Sequence, residues 1–438
     1  MAYRNFTLVP LLLCLLLSLS SSIKGECPLP DHPLALGELI DIALTNHPST
    51  KQAWWNANRA AALLGSAKSA YYPNVALEGI VKNGRDFKFI NGPDTNYTII
   101  GADLILTMLL YDYGERLANV NAAKAALIAA NWQSDWNIQK VMIKVLENAY
   151  ATLHAEEVVR GTTISLEEAN KILEYARALN TAGLSPVSDV YTSLATVAQM
   201  KIELSQQIAL MDIQKGQLVH SLGLEPSNSI ELASLAPIEI PQLLPLKELI
   251  SLGLQRRADL MAKQANVTES ISYQKLARAA YGPKISFCGR TGANHAINDH
   301  ANAAQYQLFL NVSMPLFNGF DTMYQNRMAY ADTELSMESL AELELDIALE
   351  VFTHTRSVLA AEEMLANANE YLLNSQKSYE SSLEKYRAGK EWILEVSNAQ
   401  QKLAAARIRY SDIKTRVLLS VANLAYATGT LNTEGSCK

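Results

Sequence analysis

From Leu340 onward the apolar residues fall at steps of three and four: Leu340, Leu343, Ile347, Val351, His354, Val358, Ala361, Leu365, Ala368 and Leu372. That spacing predicts one helix with a single apolar stripe running for many turns, as in coiled coils. An earlier stretch from Glu115 to Leu179 contains no proline and carries Ala122, Ala125, Ala126 and Ala129, small enough for close helix approach. At 1.5 Å per residue it forms a rod on the order of 100 Å, which a compact globule cannot house. A different period rules Gln305 to Met314. Tyr306, Leu308, Leu310, Val312 and Met314 face one way, and Gln305, Gln307, Asn311 and Ser313 the other, with Phe309 the exception. This is strand patterning. Ile100, Ala102, Leu104, Leu106, Met108 and Leu110 repeat it more weakly.

These patterns occur twice. Leu34 to Gln52 is echoed by Pro245 to Lys263, and the helix exit at Ser69 to Gly79 by Arg278 to Gly289. Pro73 and Pro283 lie 210 positions apart, whereas Leu110 and Leu316, Gly183 and Gly389, and Gly223 and Gly429 each lie 206 apart. Four landmarks in order at nearly one spacing point to internal duplication. The step of four places a variable loop between the proline and the strand exit. Each unit therefore reads as helix, strand, strand, long helical hairpin, with helices over Leu34 to Ala70 and Leu246 to Ala280 that end before a proline.

Strands with one apolar and one polar face suit a membrane barrel, with lipid outside and water within. One chain offers only four, an open sheet edge cannot face lipid, and the smallest membrane barrels have about eight strands. Two copies give a barrel filled by its own side chains, and three give twelve strands with a lumen. Counting thus predicts a symmetric trimer. The expected fold class is an α+β membrane protein: a duplicated unit whose trimer builds a 12-stranded β-barrel, four strands per chain.

Composition agrees. The chain has 438 residues, 49% hydrophobic and 18% charged, enough for a sizeable core. A net charge of −7 without a basic cluster excludes nucleic acid as a partner. Arg4, the apolar run Leu8 to Leu17 and small residues Ser18 to Ser22 have the layout of a secretory signal peptide, which takes Cys14 with it. Glu26 and Lys24 argue against acylation of Cys27, and an oxidising compartment permits a Cys27–Cys437 disulfide. No later stretch is long and apolar enough for a spanning helix. The seven histidines fall in no catalytic motif, so no catalytic residue, cofactor or metal is expected. His354 sits on the apolar stripe, His295, Asp299 and His300 read as a solvated loop, and Trp54, Trp55, Trp132 and Trp136 read as packing.

The duplicated layout, the IALTNHP opening, the AYYPN helix exit, the PLFNGF strand exit and the paired NTAG and YRAG turns resemble the TolC-type outer-membrane efflux proteins over roughly Leu34 to Leu431. The resemblance implies a homotrimer in outer-membrane lipid whose 12-stranded β-barrel is continued by a long α-helical barrel, a tunnel through the periplasm. It also implies a periplasmic adaptor (membrane fusion protein) and an inner-membrane transporter of RND, ABC or MFS type as partners. On that reading residues 1–22 are the signal peptide and 23–235 the first repeat, with strands at about 73–85 and 97–110 and a tip near 183. The second repeat spans 236–431, with strands at about 283–294 and 304–316 and a tip near 389, and 432–438 form a tail. A periplasmic coiled-coil scaffold or adaptor is the competing assignment.

Gly183 and Gly389 then mark the turns of the two hairpins at the periplasmic end, where positive φ favours glycine. Six residues after each comes an acid, Asp189 and Glu395. The resemblance makes such acids an electronegative aperture repeated threefold. Glu395 matches the first family position, while the second, three residues on, is Asn398, which halves the formal charge. Tyr386 matches a family tyrosine that closes the gate. The family's gate arginine is replaced by Glu391, with Lys390 beside it, so Lys390 and Arg387 are the basic alternatives. First-turn acids are also favoured by the helix dipole alone.

Overall fold

The computed structural model describes residues 32–86, 95–233, 242–297 and 301–431. The expected signal peptide, Cys27, Asp299, His300, Cys437 and the tail lie outside the described residues. The first repeat comprises α1 (Leu36–Asn46), α2 (Pro48–Ser69), β1 (Asn74–Asp86), β2 (Thr95–Tyr111), α3 (Glu115–Thr181) and α4 (Val187–Ser221). The second comprises α5 (Leu246–Arg256), α6 (Ala258–Ala279), β3 (Lys284–Ala296), β4 (Ala301–Ser313), α7 (Asp321–Arg387) and α8 (Ile393–Ala427). Duplication holds to the residue: the paired helices are 11, 22, 67 and 35 residues long in both repeats. The step of four falls between the paired strands, where eight residues separate β1 from β2 but four separate β3 from β4.

Two expected element boundaries need correction. The opening helix of each repeat is broken, at His47 (ψ 129°) and at Arg257 (ψ 124°). Pro48 explains the first break, because a residue before proline is pushed to extended backbone. The second repeat has Ala258 there and breaks through charge instead. The Arg257 side chain is buried, donates to both Asp259 oxygens (3.0 and 2.7 Å) and pairs with Glu350 of α7. The two carboxylates outweigh desolvation and keep this guanidinium charged. Second, β4 ends at Ser313 rather than near 316, since Pro315 lacks the N–H a ladder needs. β2 runs on to Tyr111 across a bulge at Leu109, whose carbonyl accepts from Arg116 at 2.7 Å.

The strands form one antiparallel sheet in the order β1-β2-β3-β4. Register puts Leu77 opposite Leu104, Leu104 opposite Thr291, and Thr291 opposite Tyr306. With Leu308, Leu310 and Val312 these make one apolar, exposed face. The other face holds Glu78, Asp103, Arg290, Gln305 and the exceptional Phe309. Both edge strands, β1 and β4, are 13 residues long and exposed.

The helices form a second layer with open edges. α3 packs along α2 and α4 and along α6 and α8, whereas α7 packs chiefly along α5, α6 and α8 and meets α3 near the hairpin tip. The expected stripe is real: Ile347, Val351, Val358, Ala361 and Ala368 are buried. Of the alanine run, Ala122, Ala125 and Ala129 are buried, as is Ala118, while Ala126 is half-buried. The largest cluster joins α1, α3 and α4 through Leu39, Val145, Leu218 and Leu222, and its repeat joins Leu249 and Leu260 to Ile347 and Val351. Trp136 packs, 6.3 Å from the Tyr426 ring, but against expectation Trp132 is exposed, as are Trp54 and Trp55, which meet edge to face at 4.5 Å.

Candidate functional site

At the end of α3 the chain turns through Gly183 (φ 72°), and at the end of α7 through Gly389 (φ 69°). Leu184 N–H donates to the Leu179 carbonyl at 2.8 Å, and Lys390 N–H to the Lys385 carbonyl at 2.9 Å. These bonds reach back five residues and satisfy carbonyls left open by the helix end, which only a left-handed residue between them allows. Gly223 and Gly429 (φ 76° and 67°) close α4 and α8 in the same manner. All four glycine landmarks are therefore helix stops, and two of them are the hairpin tips.

Pro186 and Trp392 cap the returning helices, and Asp189 and Glu395 follow in their first turns. Glu395 and Asn398 are exposed and share a face of α8 by their three-residue spacing. The opposite face buries Ile393, Val396, Ala399, Gln400 and Leu403 against α3 and α7. Asp189 is half-buried, and burial raises its carboxyl above the usual range. The structure does not bring Asp189 and Glu395 into a bond with each other.

Tyr386 is buried, and its hydroxyl has no hydrogen-bond partner. Burial, and then the charge on Asp189, push it up to about 12. Asp189 thus acts on the Tyr386 hydroxyl through its charge and not through a hydrogen bond. Glu391 pairs across its own turn with Lys385 at 3.6 Å. Lys390 is exposed. Of the two basic alternatives, Arg387 reaches the first hairpin. Its guanidinium lies over the Tyr175 ring at 4.3 Å, donates to the Tyr175 hydroxyl and is steadied by Glu384 at 2.6 Å.

Further links between the hairpins were not foreseen, among them His154 of α3 at 2.9 Å from the Ser411 hydroxyl of α8. Arg407 of α8 grips both oxygens of Glu168 on α3 at 3.0 and 2.8 Å. Buried Gln400 donates to the Ser165 carbonyl at 2.8 Å. Gln400, Leu403 and Arg407 recur at three and four, a signal that was available. On the sheet, Asp103 is buried, accepts from Gln305 at 3.2 Å and lies 3.8 Å from Arg290, which also approaches Glu78 at 4.0 Å. Gly292 makes room for this, since a Cβ there would come within 1.9 Å of Asp103. His295 stands near the end of β3, its ring nitrogen 2.8 Å from Asn302.

Residues 39–224 and 249–430 match the family described as outer membrane efflux protein. Among curated proteins the chain is 25% identical over 417 residues to protein CyaE of Bordetella pertussis, covering 92% of this chain and 86% of that one. It is 22% identical over 411 residues to outer membrane protein TolC of Salmonella enteritidis, covering 91% and 82%. Among solved structures it superposes on the outer-membrane channel OprN with a TM-score of 0.81, 17% identity and 90% coverage of both chains. For outer membrane protein VceC of Vibrio cholerae the TM-score is 0.79 with 18% identity, covering 90% of this chain and 96% of that one.

Proposed function

The chain belongs to the outer membrane efflux protein family, and from that premise we propose that three copies form the exit duct of an efflux or secretion assembly. It is an outer-membrane channel-tunnel with its helical part in the periplasm. The observation that carries the trimer is the matching pair of open edges. The sheet ends in two bare strands, and the helical layer ends in α2 and α4 on one side and α7 on the other. An even strand number per copy lets a ring close with every neighbour antiparallel. Three copies give twelve strands and a water-filled lumen, whereas two leave none. The same open edges disfavour a soluble scaffold, which would expose them to water.

The narrow end of the duct is the ring of six hairpin tips. Glu395 lines it with Asn398 beside it, Asp189 stands at its margin, and Tyr386, Glu391 and Lys390 shape the second tip. A threefold set of Glu395 carboxylates attracts cations. Gly183 and Gly389 set the turns that aim these residues. A periplasmic adaptor fits the outside of the helices, and an inner-membrane transporter of RND, ABC or MFS type supplies cargo and energy. The test is a planar bilayer recording of the purified trimer. Glu395→Gln is expected to lower cation over anion selectivity and weaken block by trivalent cations. Unchanged selectivity and block would remove Glu395 from the aperture.

A further inference from the structure

The duplication defines not only what one chain looks like but how the next must join it. Adding 206 to a residue of β2 gives its counterpart in β4, and subtracting 210 from a residue of β3 gives its counterpart in β1. The same operation carries the β1–β2 register onto the β3–β4 register without error, taking Asn74 opposite Thr107 to Lys284 opposite Ser313. Applied to the β2–β3 pairing, it generates a contact that one chain cannot make: β4 of one copy against β1 of the next. Resting on the trimer reading above, we infer that this seam has a defined register, with Val312 opposite Gly79 and Leu310 opposite Val81 of the next copy. These are the images of Leu106 opposite Gly289 and Leu104 opposite Thr291.

Three independent features agree with it. The register keeps apolar residues on one face across the seam, whereas a slip of one would send Leu310 to the polar side. It also accounts for Phe309, the inward-facing apolar residue in β4. Phe309 comes opposite Lys82 of the next copy, a side chain already drawn to an aromatic ring in its own chain, 5.3 Å above Tyr97. The helices obey the same operation, under which α3 against α6 becomes α7 against α2 of the next copy. Ala129 and Ala265 are 7% and 8% exposed within the chain, while their counterparts Leu335 and Trp55 are 68% and 65% exposed. The seam between copies is thus closed by large side chains where the seam within a copy uses alanine.

The test is disulfide trapping in the full-length protein, with Cys27→Ser, Cys288→Ser and Cys437→Ser as background. Gly79→Cys is paired with Val312→Cys, because a side chain at Gly79 meets open space. Copper–phenanthroline with oxygen as electron acceptor oxidises the two thiols to one disulfide and releases two protons. β1 and β4 lie at opposite ends of the sheet, so any link joins two copies. Directly opposed residues are within disulfide reach and diagonal ones are not. The expected result is a covalent trimer on denaturing gels, with the shifted pairs Gly79→Cys/Leu310→Cys and Gly79→Cys/Met314→Cys about tenfold slower. Val81→Cys/Leu310→Cys repeats the test should the first pair fail to assemble. Faster linking of a shifted pair, at a solution mass of three chains, would overturn the register and leave the trimer standing. A single-chain mass with no link from any pair would overturn the trimer itself.

Discussion

Tyr386 and Arg387 are neighbours that behave oppositely. Tyr386 packs its ring between the hairpins and leaves its hydroxyl unbonded, while exposed Arg387 makes the one polar reach from this turn to α3. Removing an unsatisfied buried hydroxyl costs little, whereas deleting a buried aromatic ring costs about 3–5 kcal/mol. Tyr386→Phe is therefore expected to leave the melting temperature unchanged or slightly higher, and Tyr386→Ala to lower it sharply, as thermal unfolding followed by circular dichroism will report. Arg387→Ala removes a cation–π contact and a hydrogen bond between the hairpins. It is expected to raise the conductance of the resting channel in bilayers, and Tyr175→Leu should do the same. No sequence reading could pair these residues. They lie 212 positions apart, and their counterparts in the other repeat are Thr181 and Ser381, which offer neither charge nor ring.

Within elements, what was legible was whatever local chemistry decides. Glycines at helix ends, a period of two in the strands and a long proline-free stripe are each set by neighbours in sequence. The break at Arg257 was not legible, because it depends on a carboxylate of α7, Glu350, 93 residues away. Taking that carboxylate away leaves a buried guanidinium underpaired, so Glu350→Gln is expected to cost about 3 kcal/mol, read as a lower unfolding temperature. Histidines packed along the helices add a pH dependence. Burial lowers His47, His154 and His354; nearby His220 lowers His47 further, while Asp412 and Glu350 oppose the effect at His154 and His354. A histidine lowered in the folded state binds its proton more readily when unfolded. Its contribution is present above the ordinary histidine value of about 6.5 and is lost as pH falls through the window just below it. The helical layer is expected to melt at lower temperature at pH 5 than at pH 7.5, and a variant with these three residues changed to Gln should lose most of that difference.

For the whole molecule, chain number was legible because barrel closure is an arithmetic constraint, and the exposed faces of α2 and α7 repeat the demand in side chains. Leu345 and Leu349 stand exposed on α7 near the level of the helix break. Leu345→Asp together with Leu349→Asp is expected to leave the single chain folded but yield monomers by light scattering. The identical helix lengths of the two repeats carry one further consequence. Each residue inserted into a helix advances everything beyond it by about 1.5 Å and rotates it by about 100°. A single insertion in α3 would leave three of the six tips at the wrong depth and facing the wrong way, while the three α7 tips kept their places. Gene-level drift in such a chain is thus restricted to paired changes in both repeats, and among those to steps of about seven residues, which restore the facing after two turns. The duplicated rods act as mutual gauges, each fixing the length at which the other remains usable.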